Sequence, residues 1–138
     1  MQVQFRPVPP NERRFGRYTL LYRIASGGMA SLYLAHYAGP DGFEKFVAIK
    51  RIHQHLAENT EFCKMFVDEA RLAARISHPN VAQVIELGAV DGSYFIAMEY
   101  VDGESLNAIL RRTRIPLEIG VRVLSHAAQG LHAAHELR

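Results

Sequence analysis

The chain has 138 residues, of which 49% are apolar, a formal net charge of +2 and one cysteine, Cys63. That length allows one compact domain, which would bury roughly two-thirds of its unfolded surface. The charge gives no electrostatic case for nucleic acid or an anionic membrane. One thiol excludes an internal disulfide or a Cys-based zinc site and fits a reducing cytoplasm. No window reaches the ~18 consecutive apolar residues of a membrane span.

Residues 1–16 read as a flexible leader, because Pro7, Pro9 and Pro10 discourage regular structure. They contain no apolar h-region of a signal peptide. From Arg17 the pattern changes. Residues 18–24 are rich in aromatic and β-branched side chains and predict a strand. Ser26-Gly27-Gly28 predicts a turn, 31–35 a second strand, 39–42 a turn and 46–52 a third strand. A helix follows over 60–76, with Asn59 or Thr60 as its cap and Glu61 in its first turn. Residues 81–87 and 94–99 predict two more strands joined by the Asp91-Gly92 hairpin turn. A short helix over 105–112 and a last helix from Pro116 onward complete the order. Short turns between neighbouring strands indicate an α+β fold, with a five-stranded antiparallel sheet and one helix packed on it.

Alternation along the third strand puts Phe46, Ala48, Lys50 and Ile52 on one face and Val47, Ile49 and Arg51 on the other. Alone, Lys50 reads as a lysine snorkelling from the end of an apolar strand. On the helix, Met65, Glu69, Leu72 and Ile76 share one face, which sets a carboxylate within an apolar stripe. A buried carboxylate is costly unless paired. Glu69 is therefore either a solvated residue at the edge of the stripe or the partner of a cation from the sheet, and Lys50 faces the right way. In the turn, Gly27 and Gly28 with small neighbours let backbone N–H groups approach phosphate oxygens, although most such pairs are simple hairpin turns.

Taken together these features resemble a known family. A glycine-rich hairpin is followed by Val47-Ala48-Ile49-Lys50, a helical Glu69, His78-Pro79-Asn80 and Ala97-Met98-Glu99-Tyr100-Val101. This is similar to the N-lobe and hinge of protein kinases, most of all bacterial serine/threonine kinases of the eukaryotic-like type. The resemblance runs from about Phe15 to Arg138. It implies an N-lobe over 17–98, a hinge over 99–103 and the first helices of a helical C-lobe over 104–138. It further implies that Ile24, Ala25, Ser26, Gly27 and Gly28 form the loop over the phosphates of ATP. Lys50 would meet the α- and β-phosphates, held by Glu69. Leu32 and Ala48 would roof the adenine, Met98 would close its rear, and the backbones of Glu99 and Val101 would bond its edge. Glu104 or Ser105 would reach the ribose.

Ala25 and Ala30 stand where the family's loop has its first and third glycines. No His-Arg-Asp loop and no Asp-Phe-Gly motif occurs in the sequence. The resemblance therefore implies no metal ligands and no turnover from these residues alone. Mg2+ would come only with the remaining C-lobe. The expected function is the ATP-binding portion of a kinase acting on protein Ser/Thr, and the alternative is a pseudokinase or regulatory module acting by contact.

The last helix carries two apolar stripes. Leu117, Val121, Leu124, Ala128 and Leu131 form one, and Ile119, Val123, Ala127, Gly130 and Ala134 the other, as expected of a helix covered by further chain or a partner. His126, His132 and His135 read as ordinary surface or packing histidines. His53 and His55 read as exposed loop residues.

Overall fold

The computed structural model describes residues 4–137, so Met1–Val3 of the expected leader and Arg138 lie outside the described residues. Its central feature is a seven-stranded antiparallel sheet. The strands are β1 (Arg6–Pro7), β2 (Arg14–Phe15), β3 (Tyr18–Ser26), β4 (Ala30–Ala38), β5 (Glu44–Ile52), β6 (Val84–Val90) and β7 (Ser93–Glu99). The order is β1-β3-β4-β5-β7-β6, with β2 also paired to β3. The hairpins follow from local chemistry. Asp91 (φ 50°) and Gly92 (φ 76°) occupy the left-handed region in a two-residue turn whose twist matches its flanking strands.

Five of these strands match the sequence reading, and two are additional. Residues 4–15 are not the structureless leader expected. β1 and β2 pair with opposite ends of β3, at Arg6↔Arg23 and Phe15↔Tyr18. Proline is compatible with this edge position, where only one side of the strand is paired. Val8 and Phe15 join Tyr18, Leu20, Ala35, Val47, Ile49, Phe95 and Ala97 in a buried cluster on one face of the sheet. Phe15 and Tyr18 both meet the Phe95 ring edge-on, with centroids 5.1 and 5.8 Å apart. The sheet curls until its two sides meet on this face. Tyr18 at the start of β3 donates its hydroxyl to Glu86 of β6 at 2.5 Å, and Arg17 pairs with the same carboxylate oxygen at 2.6 Å.

The opposite face carries α1 (Thr60–Ala74), whose N-cap Asn59 accepts a hydrogen bond from the Phe62 amide. The helix ends before the expected Ile76. The amides of Arg75 and Ile76 bond back only three residues, tightening the last turn. Cys63, Phe66 and Ala70 are its buried side chains, and they pack with Ile52 and Ile96. The stripe expected to pack, Met65 to Ile76, is instead turned off the sheet, with Met65 and Leu72 more than half exposed. β6 also begins three residues later than expected. The chain first turns at His78–Val81, and Gln83 then exchanges hydrogen bonds with Glu99.

Beyond β7, residues 100–105 carry no regular structure and lead to α2 (Leu106–Arg112), capped by the Ser105 hydroxyl, and α3 (Leu117–His135). Gly130 is the buried residue of α3. A Cβ there would stand 3.0 Å from the Asn80 carbonyl oxygen, and the Asn80 side-chain Nδ2 donates to the His126 carbonyl at 3.0 Å. Leu117, Val121, Leu124 and Leu131 are exposed.

Phe15→Ala should destabilise the fold by about 3–5 kcal/mol in denaturant titration, as loss of a core ring does. An unchanged midpoint would return residues 4–15 to the status of a leader. Desolvation, then the Glu86 hydrogen bond, raise the Tyr18 pKa above 10. The folded state thus holds this proton more tightly than the unfolded chain. Tyr18's contribution to stability is complete below pH 10 and is lost as pH rises through the folded pKa. Tyr18→Phe should be less stable near neutrality but should lose less stability across that alkaline range, measured by thermal melts at stepped pH.

Candidate nucleotide-binding cleft

β5 brings the chemistry to the cleft. Its alternation buries Val47 and Ile49 in the far-face core, and Lys50 points the other way, towards α1. Lys50 Nζ lies 3.8 Å from Glu69 Oε1 and 5.9 Å from the centre of the Phe66 ring. Both charges are partly solvated, at 37% and 66% side-chain exposure. Glu69 is thus neither buried nor free, and its position on α1 lets it reach the strand from the edge of the helix.

Two cavities meet at Lys50. One, of about 470 Å³, lies under the β3–β4 hairpin and is lined by Ala25, Gly27, Gly28, Leu32, Lys50 and Met98 among others. The second, of about 410 Å³, lies between the hairpin tip and α1, and its walls include Met29, Lys50, Met65, Glu69 and Leu72. The exposed apolar side chains of α1 are therefore the wall of this second space.

The remaining expected site residues line neither of these two cavities. Ala48 is buried, in register with Leu34 and with Met98, which does line the first. Ile24 is also buried, and with Ser26 it borders a smaller cavity on the Gln4 side. Glu99 and Val101 are exposed and do not line the hairpin cavity. The Glu99 amide is taken by the Gln83 carbonyl at 2.8 Å.

The hairpin tip is open. Gly27 and Gly28 have no left-handed φ, and a Cβ on Gly28 would meet nothing within 4 Å. The hairpin's own geometry therefore does not require glycine at position 28. What holds the tip is a residue the sequence reading placed in solvent. His53 is half-buried rather than exposed; its amide donates to the Met29 carbonyl at 3.0 Å, and its Nε2 lies 2.7 Å from the Gly27 carbonyl oxygen. The exposed His55 ring stacks on it at 5.5 Å. The Ser26 and Ser31 hydroxyls close the hairpin from within, 3.0 Å apart. No local pattern announces a bond between residues 26 apart; the one available signal is a histidine placed just past the end of β5.

Comparison with known proteins identifies the class. The protein kinase domain model matches residues 18–138, and the chain belongs to that family. It is 50% identical over 127 residues to the tyrosine-protein kinase MasK of Myxococcus xanthus, covering 88% of this chain and 20% of that protein. It is 41% identical over 95 residues to the serine/threonine-protein kinase PrkC of Bacillus subtilis, covering 69% of this chain and 14% of that one. The crystal structure of the Mycobacterium tuberculosis PknI kinase domain superposes with a TM-score of 0.67 at 29% identity, over 89% of this chain and 50% of that one. The fold is thus the protein kinase fold, spanning the N-lobe and the start of the C-lobe. The chain covers a fifth or less of the length of these two curated relatives.

His53→Ala should loosen the hairpin tip. Losing one hydrogen bond of about 1 kcal/mol corresponds to a rise of roughly fivefold in the Kd of any ligand the tip covers. Calorimetric titration with a non-hydrolysable ATP analogue measures it, and an unchanged Kd would remove His53 from the site.

Proposed function

We propose that this chain carries the ATP-binding part of a protein kinase that transfers the γ-phosphoryl group to Ser or Thr hydroxyls of a protein. The observation that carries the reading is the Lys50–Glu69 contact of 3.8 Å at the junction of the two cavities. A cation held at the inner end of a glycine-tipped cavity suits a polyphosphate, because the open space around Gly28 leaves room for oxygens to approach backbone N–H groups. In this reading Gly27 and Gly28 cover the phosphates, and Lys50 neutralises charge on the α- and β-phosphates. Glu69 positions Lys50. Leu32 and Ala48 form the apolar roof over adenine, Met98 closes the rear, Ile24 and Ala25 lead into the loop, and Ser26 tightens it through Ser31. The Glu99 carbonyl and the Val101 backbone meet the adenine edge.

Transfer breaks the bond between the γ-phosphorus and the β–γ bridging oxygen, and forms one to the acceptor oxygen. Little covalent chemistry falls to the protein, so positioning and charge neutralisation dominate. Lys50 serves that purpose by offsetting charge on the nucleotide. Magnesium, which the family uses in general, would take its ligands from outside the described residues, among which no three His, Cys, Asp or Glu side chains converge. The exposed apolar face of α3 fits coverage by the remainder of a kinase C-lobe. No helix among the described residues is long and apolar enough to cross a membrane. A cytoplasmic site of action, where ATP is available, agrees with the single reduced Cys63.

A pseudokinase or contact-only module is not favoured, since the matched relatives are kinases by name. A tyrosine acceptor is the second reading, because the 50%-identical relative bears that name. Radiolabel transfer by the full-length protein to acceptors offering Ser, Thr and Tyr separates the two through the phosphoamino acid formed. Lys50→Ala should cut kcat/KM by roughly 10²–10³, the scale of a lost charge-stabilising group, with Glu69→Gln less severe. Undiminished transfer in Lys50→Ala would sink the proposal.

A further inference from the structure

A separate cavity lies on the face of the sheet away from α1. It has a volume of about 530 Å³ and sits where residues 6–12 cross that face. Arg6 enters from the N-terminal segment, Arg23 from β3 and Arg51 from β5, with Tyr33 of β4 beside them. Alternation fixes this convergence. Arg51 is the neighbour of Lys50 and must point the opposite way, and Arg23 stands in register with both Arg6 and Tyr33.

The charges do not balance. Three arginines line the cavity against one acidic residue, Glu12. Among the described residues none of the three arginines forms an ion pair. Arg6 is held by the neutral Gln4 side chain, at 3.2 and 2.8 Å. The guanidinium of Arg51 rests over the Phe15 ring at 4.7 Å, and its Nε is buried without a hydrogen-bond partner. That atom faces protein, so any bond to a ligand must come from the outer nitrogens of the Arg51 fork. The rest of the lining is apolar, supplied by Pro7, Val8 and Leu20.

We propose that this cavity is a binding site for a phosphate monoester. The planar forks of Arg23 and Arg51 suit paired hydrogen bonds to phosphate oxygens, and a dianion answers the uncompensated charge. The Tyr33 hydroxyl adds an uncharged donor, and the apolar wall seats the group that bears the phosphate. The source is either a free phosphate compound or a phosphorylated side chain, since both present the same oxygens. The site lies across the sheet from Lys50 and does not depend on the reading of the cleft.

The test is calorimetric titration of the full-length protein at low ionic strength. The probes are inorganic phosphate, a short phosphoserine peptide and its unphosphorylated twin. Saturable binding of a phosphate-bearing probe is expected, weakened at least about tenfold in Arg51→Gln and in Arg23→Gln, and unchanged in Lys50→Ala. Arg23→Gln leaves the Phe15 contact in place, so it reports on binding even if Arg51→Gln perturbs folding. A phosphopeptide bound tenfold tighter than inorganic phosphate assigns a protein-borne source, and equal affinity assigns a free one. The proposal is overturned by no saturable binding, by affinity equal to wild type in Arg23→Gln, or by a signal that chloride at matched ionic strength reproduces. Loss of phosphate binding in Lys50→Ala would move the probe to the nucleotide cleft and also overturn it.

Discussion

The two-residue period of one central strand organises this molecule. On β5, Val47 and Ile49 must enter the core on one side, so Lys50 must leave on the other and Arg51 must return. A slip of one residue would exchange the faces of the two cations and take Val47 and Ile49 out of the buried cluster around Phe15 and Phe95. Register here is therefore fixed by burial, and the cleft inherits its geometry from that choice. Antiparallel pairing on both sides, to β4 and β7, holds the strand against such a slip.

The contact between Lys50 and Glu69 is a matter of position more than of stability. Both side chains are more than a third exposed, and at 3.8 Å the pair is loose. Solvated pairs of this kind contribute roughly 0–1 kcal/mol, and salt weakens them further. What keeps α1 in place is the apolar seam of Cys63, Phe66 and Ala70 against Ile52 and Ile96. The helix can thus shift a little while that seam persists, and the ion pair would lengthen or shorten with it.

Much of the architecture could be read in the residues. The Asp91-Gly92 turn, the β-rich runs and the capped helix each carry a local signal, and the family resemblance rested on their order. The N-terminal segment was misread because two-residue strands are too short to show a period and its prolines argue for disorder. Their counterpart, the open edge of β3, lies farther along the chain and cannot be seen from within the segment. The helix face was misread because Met65 and Leu72 are apolar yet wall a cavity, whereas small Ala70 faces the core. His53 escaped notice because its partner is a backbone carbonyl across a hairpin, which no side-chain pattern encodes.

The tight seat of Gly130 on Asn80 has a mechanical consequence. With 3.0 Å from a would-be Cβ to a carbonyl oxygen, the two surfaces have no slack for sliding, and the Asn80 side chain fastens the loop to the helix backbone. The sheet is otherwise joined to the C-terminal helices by the irregular stretch 100–105. Any residue larger than glycine at 130 would therefore press on the Asn80 carbonyl, so this seat sets how closely α3 can approach the loop that follows α1.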